Sequence, residues 1–295
     1  GPLPPVVEPP PAIPALPVVN PPGWFAAIEL DLVKPHIKNR LQATVPLDDL
    51  FNVRLHLPTA ELAWTVAPRF EVGYRLPDEL GELLVSYRFL VTEGCVRGSS
   101  ADDLFFSRGS LKSRLDLQVI DLDYAHREYA LGPSWDMKWK FGVRLANLFF
   151  DSRTAVRFTD LEVADDFTAG ARTSNYFFGA GPHVGLDLWR RFGGTGLALF
   201  GRLEGALVVG RIHQAFEEVF RFDDLALGGA TSLDQAQAVP VLNVQAGLGW
   251  TPAWQPGVRF AAGYQYEHWW YVGHIGDSRA ELWDQGVFFR AEYKY

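Results

Sequence analysis

Apolar and polar residues alternate without a break along "MKWKFGVRLANLFF", residues 137–150. Met137, Trp139, Phe141, Val143 and Leu145 share one parity; Lys138, Lys140, Gly142, Arg144 and Ala146 share the other. A period of two marks a strand with two unlike faces. The pattern recurs over 24–34, 60–76, 82–92, 114–131, 137–150, 174–189, 197–213, 239–251, 258–272 and 282–295. Several of these stretches exceed the ~5–6 residues usual in soluble sheets and meet the ~9–11 that a tilted membrane strand needs. No stretch holds a helical period over three turns. The chain therefore reads as all-β, with about ten strands and twelve as the alternative count.

The connections alternate in kind. Short turns fall at "LPDELG", "LGPSWD", "RRFGGTG" and "TPAWQPG", and longer polar loops are expected over 35–59, 93–113, 151–173, 214–238 and 273–281. Short turns at one end and long loops at the other describe an up-and-down transmembrane barrel better than a Greek-key sandwich. Aromatics sort the same way. Trp24, Trp135, Trp139, Trp189, Trp250, Trp254, Tyr74 and Tyr293 fall toward the short turns, and Trp64, Trp269, Trp270, Tyr271 and Trp283 toward the loops, as two interfacial girdles would place them. The last strand, "GVFFRAEYKY", keeps Val287, Phe289, Ala291, Tyr293 and Tyr295 on one face.

A cation facing lipid at mid-depth costs ~2–4 kcal/mol, so Lys138, Lys140 and Arg144 must point inward. Other residues of the inward parity offer them company: Arg69, Glu71, Arg75, Arg88, His183, Asp187, Arg202, Glu204, Arg259, Gln265, Glu267, Arg290, Glu292 and Lys294, with Glu29 and Asp31. The expected interior is crossed by ion pairs. In "RLDLQVIDLDYAHREY" the apolar parity switches near Val119 and Ile120, which predicts a bulge there or a strand drawn with the wrong bounds.

Composition adds limits. The 295 residues carry a net charge of −8, against a nucleic-acid binder, and aromatics make up 14%. No run reaches the length of a transmembrane helix. Residues 1–22, "GPLPPVVEPPPAIPALPVVNPP", are too proline-rich for helix or sheet and form an extended tail ahead of the barrel at 23–295. Both ends of an even-stranded barrel lie on one side, here the periplasmic side. The tail is then placed to meet an envelope protein, or it serves as a spacer; self-association is a further expectation. The start, Gly1-Pro2, suits a processed terminus or a tag remnant.

The segments "LAWTVAPRFEVGYRL", "GELLVSYRFLVTEG", "ALGPSWDMKWKFGVRLA" and "FFGAGPHVGLDLWRRFGGTGLALFGRLEGALVVG" resemble the Legionella-type pore-forming major outer membrane protein family, in its planctomycete branch. The resemblance runs over about 24–295. It implies an outer-membrane β-barrel that passes small solutes or ions, and it brings no catalytic residues. The alternative is a non-conducting barrel that anchors another envelope or surface component.

Candidate chemistry is sparse. Gly179, Gly181 and Gly185 have the wrong spacing for a dinucleotide loop and no helix follows, so they are read as making room inside the barrel. No G-x-S-x-G motif occurs. His268 and His274 beside Glu267 lack metal-ligand spacing and sit among aromatics. Cys95 is a lone loop thiol. No enzyme, cofactor or metal is expected. Paired aspartates recur in the expected loops: Asp48 and Asp49, Asp102 and Asp103, Asp165 and Asp166, Asp223 and Asp224. They read as caps of short turns, as an acidic mouth that attracts cations, or as a Ca²⁺ site.

Overall fold

A computed structural model describes the backbone at residues 22–39, 42–48, 51–56, 59–78, 80–101, 105–160, 166–222, 225–275 and 278–294. The proline-rich tail and Asp49, Asp102, Asp103, Asp165, Asp223 and Asp224 lie outside the described residues, as do the side chains of Asp48, Asp166 and His274.

Ten strands form a ring. In ring order from the N-terminal strand they are β1 (Gly23–Asn39), β4 (Thr65–Arg75), β5 (Glu82–Ala101), β6 (Phe105–Ala125), β8 (Trp135–Asp160), β9 (Asp166–Arg191), β10 (Leu197–Phe222), β11 (Leu225–Trp250), β12 (Val258–Ile275) and β13 (Ser278–Lys294). Every pairing is antiparallel. The ring closes where β1 meets β13, with Phe25 opposite Lys294 and Asn39 opposite Ala280. A two-residue strand, β7 (Tyr129–Ala130), adds to β8 at the short-turn end, and β2 (Gln42–Asp48) pairs with β3 (Phe51–His56) as a separate hairpin. Closure satisfies the backbone groups of each strand within the sheet, which is the condition for crossing lipid.

Outward residues form an apolar belt that includes Ile28, Leu30, Phe70, Val72, Phe141, Val143, Leu203, Val244 and Phe289. Inward residues are buried. The short turns stand where the sequence placed them.

Four expectations need correction. The expected long loops are largely strand. The β5–β6 ladder runs to Ala101 opposite Phe106, β8–β9 to Thr159 opposite Asp166, and β10–β11 to Phe222 opposite Leu225. These extensions are rich in Gly, Ser, Ala and Arg, a composition that reads as loop when no lipid face enforces apolar alternation. Second, β6 has no bulge: its registers with β5 and β8 run unbroken through Val119 and Ile120. The parity switch arises because its inward face changes from Leu115, Leu117 and Val119 to Asp121 and Asp123. An irregularity lies instead in β12 between Trp269 and Gly273, where Tyr271 has a φ of 60°.

Third, residues 61–64 are not strand. Leu62 is buried, Ala60 N donates to Ser113 Oγ at 2.9 Å, and Ala63 N donates to Glu93 O at 3.1 Å. The chain thus dips into the outer mouth against β5. Gly94 permits this approach, because a side chain there would collide with the Glu61 carbonyl and the Leu62 backbone. Fourth, Trp189 and Trp269 belong to the interior and not to the girdles; Trp269 is fully buried.

Candidate functional site

The barrel interior is the most concentrated chemistry in the chain, and it is built in levels. Nearest the short turns, Lys138 pairs with Glu82, Arg75 pairs with Glu82 at 3.5 Å, and Arg259 donates to Glu128 at 3.0 Å. Lys294 joins this level between Glu128 at 3.2 Å and Glu292 at 3.0 Å. Rings pack beside these charges. Arg259 lies over the Trp189 ring at 4.5 Å, and Trp189 packs on Phe200, whose ring centroid is 4.7 Å away.

The next level centres on Glu204 of β10. Its carboxylate receives Lys140 Nζ at 2.6 Å and Arg69 Nη1 at 3.2 Å, with Arg144, Arg202 and His183 within 4 Å. Arg144 binds Asp121 at 2.7 and 2.9 Å through two nitrogens, the two-pronged geometry that suits a guanidinium. His183 Nδ1 lies 2.8 Å from Asp123. Arg202 makes a similar fork to Asp187 at 2.7 and 2.8 Å and reaches Glu29 at 3.4 Å. Arg290 bridges Glu71 at 2.9 Å and Glu29 at 3.5 Å.

Above it, Arg88 holds Glu267 at 2.7 Å, Asp284 at 3.2 Å and Asp31 at 3.5 Å. Glu267 also accepts from Trp269 Nε1 at 2.7 Å and Asn243 Nδ2 at 3.0 Å. Gln245 links Gln265 to Glu29. The next level outward is apolar: Leu90, Leu115, Leu117, Leu148, Phe177, Ile212 and Leu282 pack with Trp269, and Leu62 of the inturned segment joins them, while buried Ser113, Ser152, Asn175 and Gln214 stand beyond it. The void among the charged residues at the short-turn end is about 20 Å³, little more than one water.

Isolated buried charges would be prohibitive, so each is held by partners of opposite sign. The structure brings the fifteen inward residues read from the sequence into this lattice. The reading missed Asp121, Asp123, Glu82, Glu128 and Asp284. Asp121 and Asp123 were hidden by the apparent parity break, and Glu128 stands in the 126–128 connection, where alternation carries no information. Glu82 and Asp284 do follow the inward parity of their strands and were legible.

Asp121, Asp123 and His183 place possible ligand atoms within 4.8 Å of one another. Arg144 already occupies Asp121, and Lys140 lies 3.6 Å from Asp123, so protein cations fill the role a metal would take. The outer-rim histidine is also structural. His268 stacks on Trp270 at 4.2 Å and contacts Tyr266 Oη at 2.8 Å, whereas Glu267 points into the barrel on the opposite face. Gly185 makes room for Lys140, whose Cε would stand 2.5 Å from a Cβ there.

In the 126–128 connection, burial raises the Glu128 pKa, but Lys294 and Arg259 outweigh it and hold the carboxyl at about 2.

The family comparison agrees with this architecture. A family model described as Legionella pneumophila major outer membrane protein precursor matches residues 30–281. No curated protein sequence matches. Among solved structures, the outer membrane protease OmpT from Escherichia coli is 10% identical, with a TM-score of 0.45, covering 92% of this chain and 96% of that one. The Pseudomonas putida toluene transporter TodX is also 10% identical, with a TM-score of 0.31 and coverages of 92% and 90%.

Proposed function

This chain belongs to the Legionella pneumophila major outer membrane protein family and lies in the bacterial outer membrane; from that premise we propose that it is a non-conducting barrel that presents its long outer hairpins at the cell surface. One observation carries the reading. The apolar level of Phe177, Leu148, Leu117, Ile212 and Trp269 spans the interior outside the charged lattice, and each of these side chains is less than 2% exposed. A hydrated ion entering there would lose its water without gaining a polar partner. Small barrels are commonly filled by side chains in this way. The absence of enzymatic activity belongs to the same proposal. The carboxylate and histidine cluster at Asp121, Asp123 and His183 is buried and neutralised by cations, so a substrate has no route to it.

Planar-bilayer recording of the reconstituted full chain tests this. The expected record is flat at ±100 mV in ~1 M KCl. Reproducible single-channel steps from protein that also shows heat-modifiable migration in SDS would overturn the reading in favour of the pore implied by the family resemblance.

A further inference from the structure

Toward the outer end, β11 and β12 part company. They pair only from Val241 opposite Trp269 to Trp250 opposite Phe260. Beyond Trp269, β12 breaks register and turns into the barrel. There Asn175 Nδ2 of β9 donates to the Val272 carbonyl at 2.5 Å, and a side chain at Gly273 would press on Ala280 and on Gln214 of β10. β11 does not follow. It stays on β10 in unbroken register up to Leu225 opposite Phe222. Among the described residues, positions 225–240 therefore carry a strand ladder on one side only. Pro240 stands where the β12 ladder stops, and proline within sheets is confined to such edges.

An edge strand is a template for another strand, and proteins blunt it with charge, proline, a bulge or a covering segment. The other edge of this outer sheet, β5, is covered where it rises past β4. Ala63 N donates to Glu93 O at 3.1 Å, and Thr65 Oγ1 donates to Val91 O at 2.7 Å. On β11 the stretch 228–234, "GGATSLD", has no such protection. Its one charge, Asp234, is engaged by His213 at 2.8 Å on the β10 side. Residues of both parities are exposed there, Leu233 alone being half-buried.

Continuity identifies the occupant. The same edge of β11 already pairs with β12 lower down, so what completes it above is another strand. We propose that 228–234 receives an extended, uncharged segment of a surface protein, added antiparallel where β12 turns away. Backbone N–H and C=O groups supply the attraction. Positions 228, 230 and 232 share the outward parity and hold only Gly, Ala and Ser, and exposed Val219 lies opposite Gly228 on β10. This shelf takes bulky β-branched or aromatic side chains at alternate positions of the incoming strand. A second copy does not fit. Two copies in one membrane are related by an axis near the membrane normal, about 40° from a tilted strand. Antiparallel pairing of one edge with itself needs an axis perpendicular to the strand. The proposal rests on the outer hairpins standing at the cell surface and holds whether or not the barrel conducts.

The test reads hydrogen exchange of the 228–234 amides in the full chain, held in phosphatidylcholine nanodiscs. The probe is a capped seven-residue peptide of alternating threonine and valine. Amides not bonded to β10 are expected to exchange fast in the free protein and at least tenfold more slowly when the peptide saturates. The same peptide N-methylated at every residue is expected to change nothing. A230K/S232K should weaken peptide binding at least tenfold. S174K, in the same row as Ser232 but on the interior strand β9, should match the parent. Uniformly slow exchange in the free chain would overturn the proposal, because the edge would already be covered. So would equal protection by the methylated peptide, unchanged binding by an A230K/S232K variant that keeps heat-modifiable migration, or a dimer in light scattering that this variant dissociates. In intact cells, S232C/C95S is expected to react with a membrane-impermeant maleimide. A silent thiol there, beside full protection in nanodiscs, would overturn the surface placement and not the edge pairing.

Discussion

Lys140 on β8 reaches across β9 to Glu204 on β10, placing Nζ 2.6 Å from the carboxylate, and it crosses at a glycine. The registers set Lys140 opposite Gly185 and Gly185 opposite Glu204, so the three lie in one row. A side chain at Gly185 would stand where the lysine methylenes run. G185V is therefore expected to displace Lys140 and destabilise the barrel by about 1–3 kcal/mol, the usual cost of overpacking. Urea unfolding in detergent micelles measures it. K140M/G185V should lose less than the sum of the single changes, because the displaced charge is gone.

The same row shows what alternation reveals and what it hides. Lys138, Lys140 and Arg144 could be assigned inward because lipid tolerates no such cations, and their strand alternates throughout. Asp121 and Asp123 could not, because β6 changes its inward chemistry halfway along. One face that passes from leucine to aspartate looks in one dimension like a break in register. Trp189 and Trp269 were misassigned for a related reason: tryptophan suits an interface or a packed interior, and sequence position does not separate the two. The outer hairpins were mistaken for loops because solvent on both faces removes the alternation that marks a strand. The paired aspartates lie beyond the described side chains.

Glu204 is the hub of the central level, with Arg69, Lys140, Arg144, Arg202 and His183 around it. Removing its charge leaves buried cations uncompensated, a loss of about 3–5 kcal/mol. E204Q should fold in lower yield and unfold at lower urea. E204Q/K140M, which removes one charge of each sign, should recover part of the loss. Equal stability of E204Q and the parent would show that the lattice is redundant at its centre.

Glu128 supplies a pH signature at the short-turn end. Its carboxyl titrates at about 2 in the folded protein, against an ordinary value near 4.5. A depressed folded pKa contributes stability above the unfolded value and loses it as pH falls. The contribution, on the order of 2 kcal/mol, is present at pH 6 and fades between about pH 4.5 and 2. E128Q should unfold at lower urea than the parent at pH 6, and the two curves should converge as the pH falls to about 2. A constant gap across that range would assign the loss to packing and not to the Lys294 and Arg259 ion pairs.

The proline-rich segment 1–22 joins the barrel at Gly23, and the neighbouring register sets Phe25 opposite Lys294, so both ends of the ring meet on the side of the short turns. We propose that this side faces the periplasm. We propose that the segment docks an envelope partner there. A polyproline-type chain extends ~3.1 Å per residue, giving a reach of up to roughly 70 Å, and it is stiff enough to lose little entropy on binding. Glu8 is its one charged side chain, so contact would run through Val6, Val7, Ile13, Leu16, Val18 and Val19. A chain beginning at Gly23 should insert and keep its heat-modifiable migration, because β1 and its pairings are intact. It should also lose either the co-purifying envelope partner or the oligomeric state of the full chain, read by crosslinking in intact cells and by light scattering after extraction. If the shortened chain keeps both, the segment is a spacer.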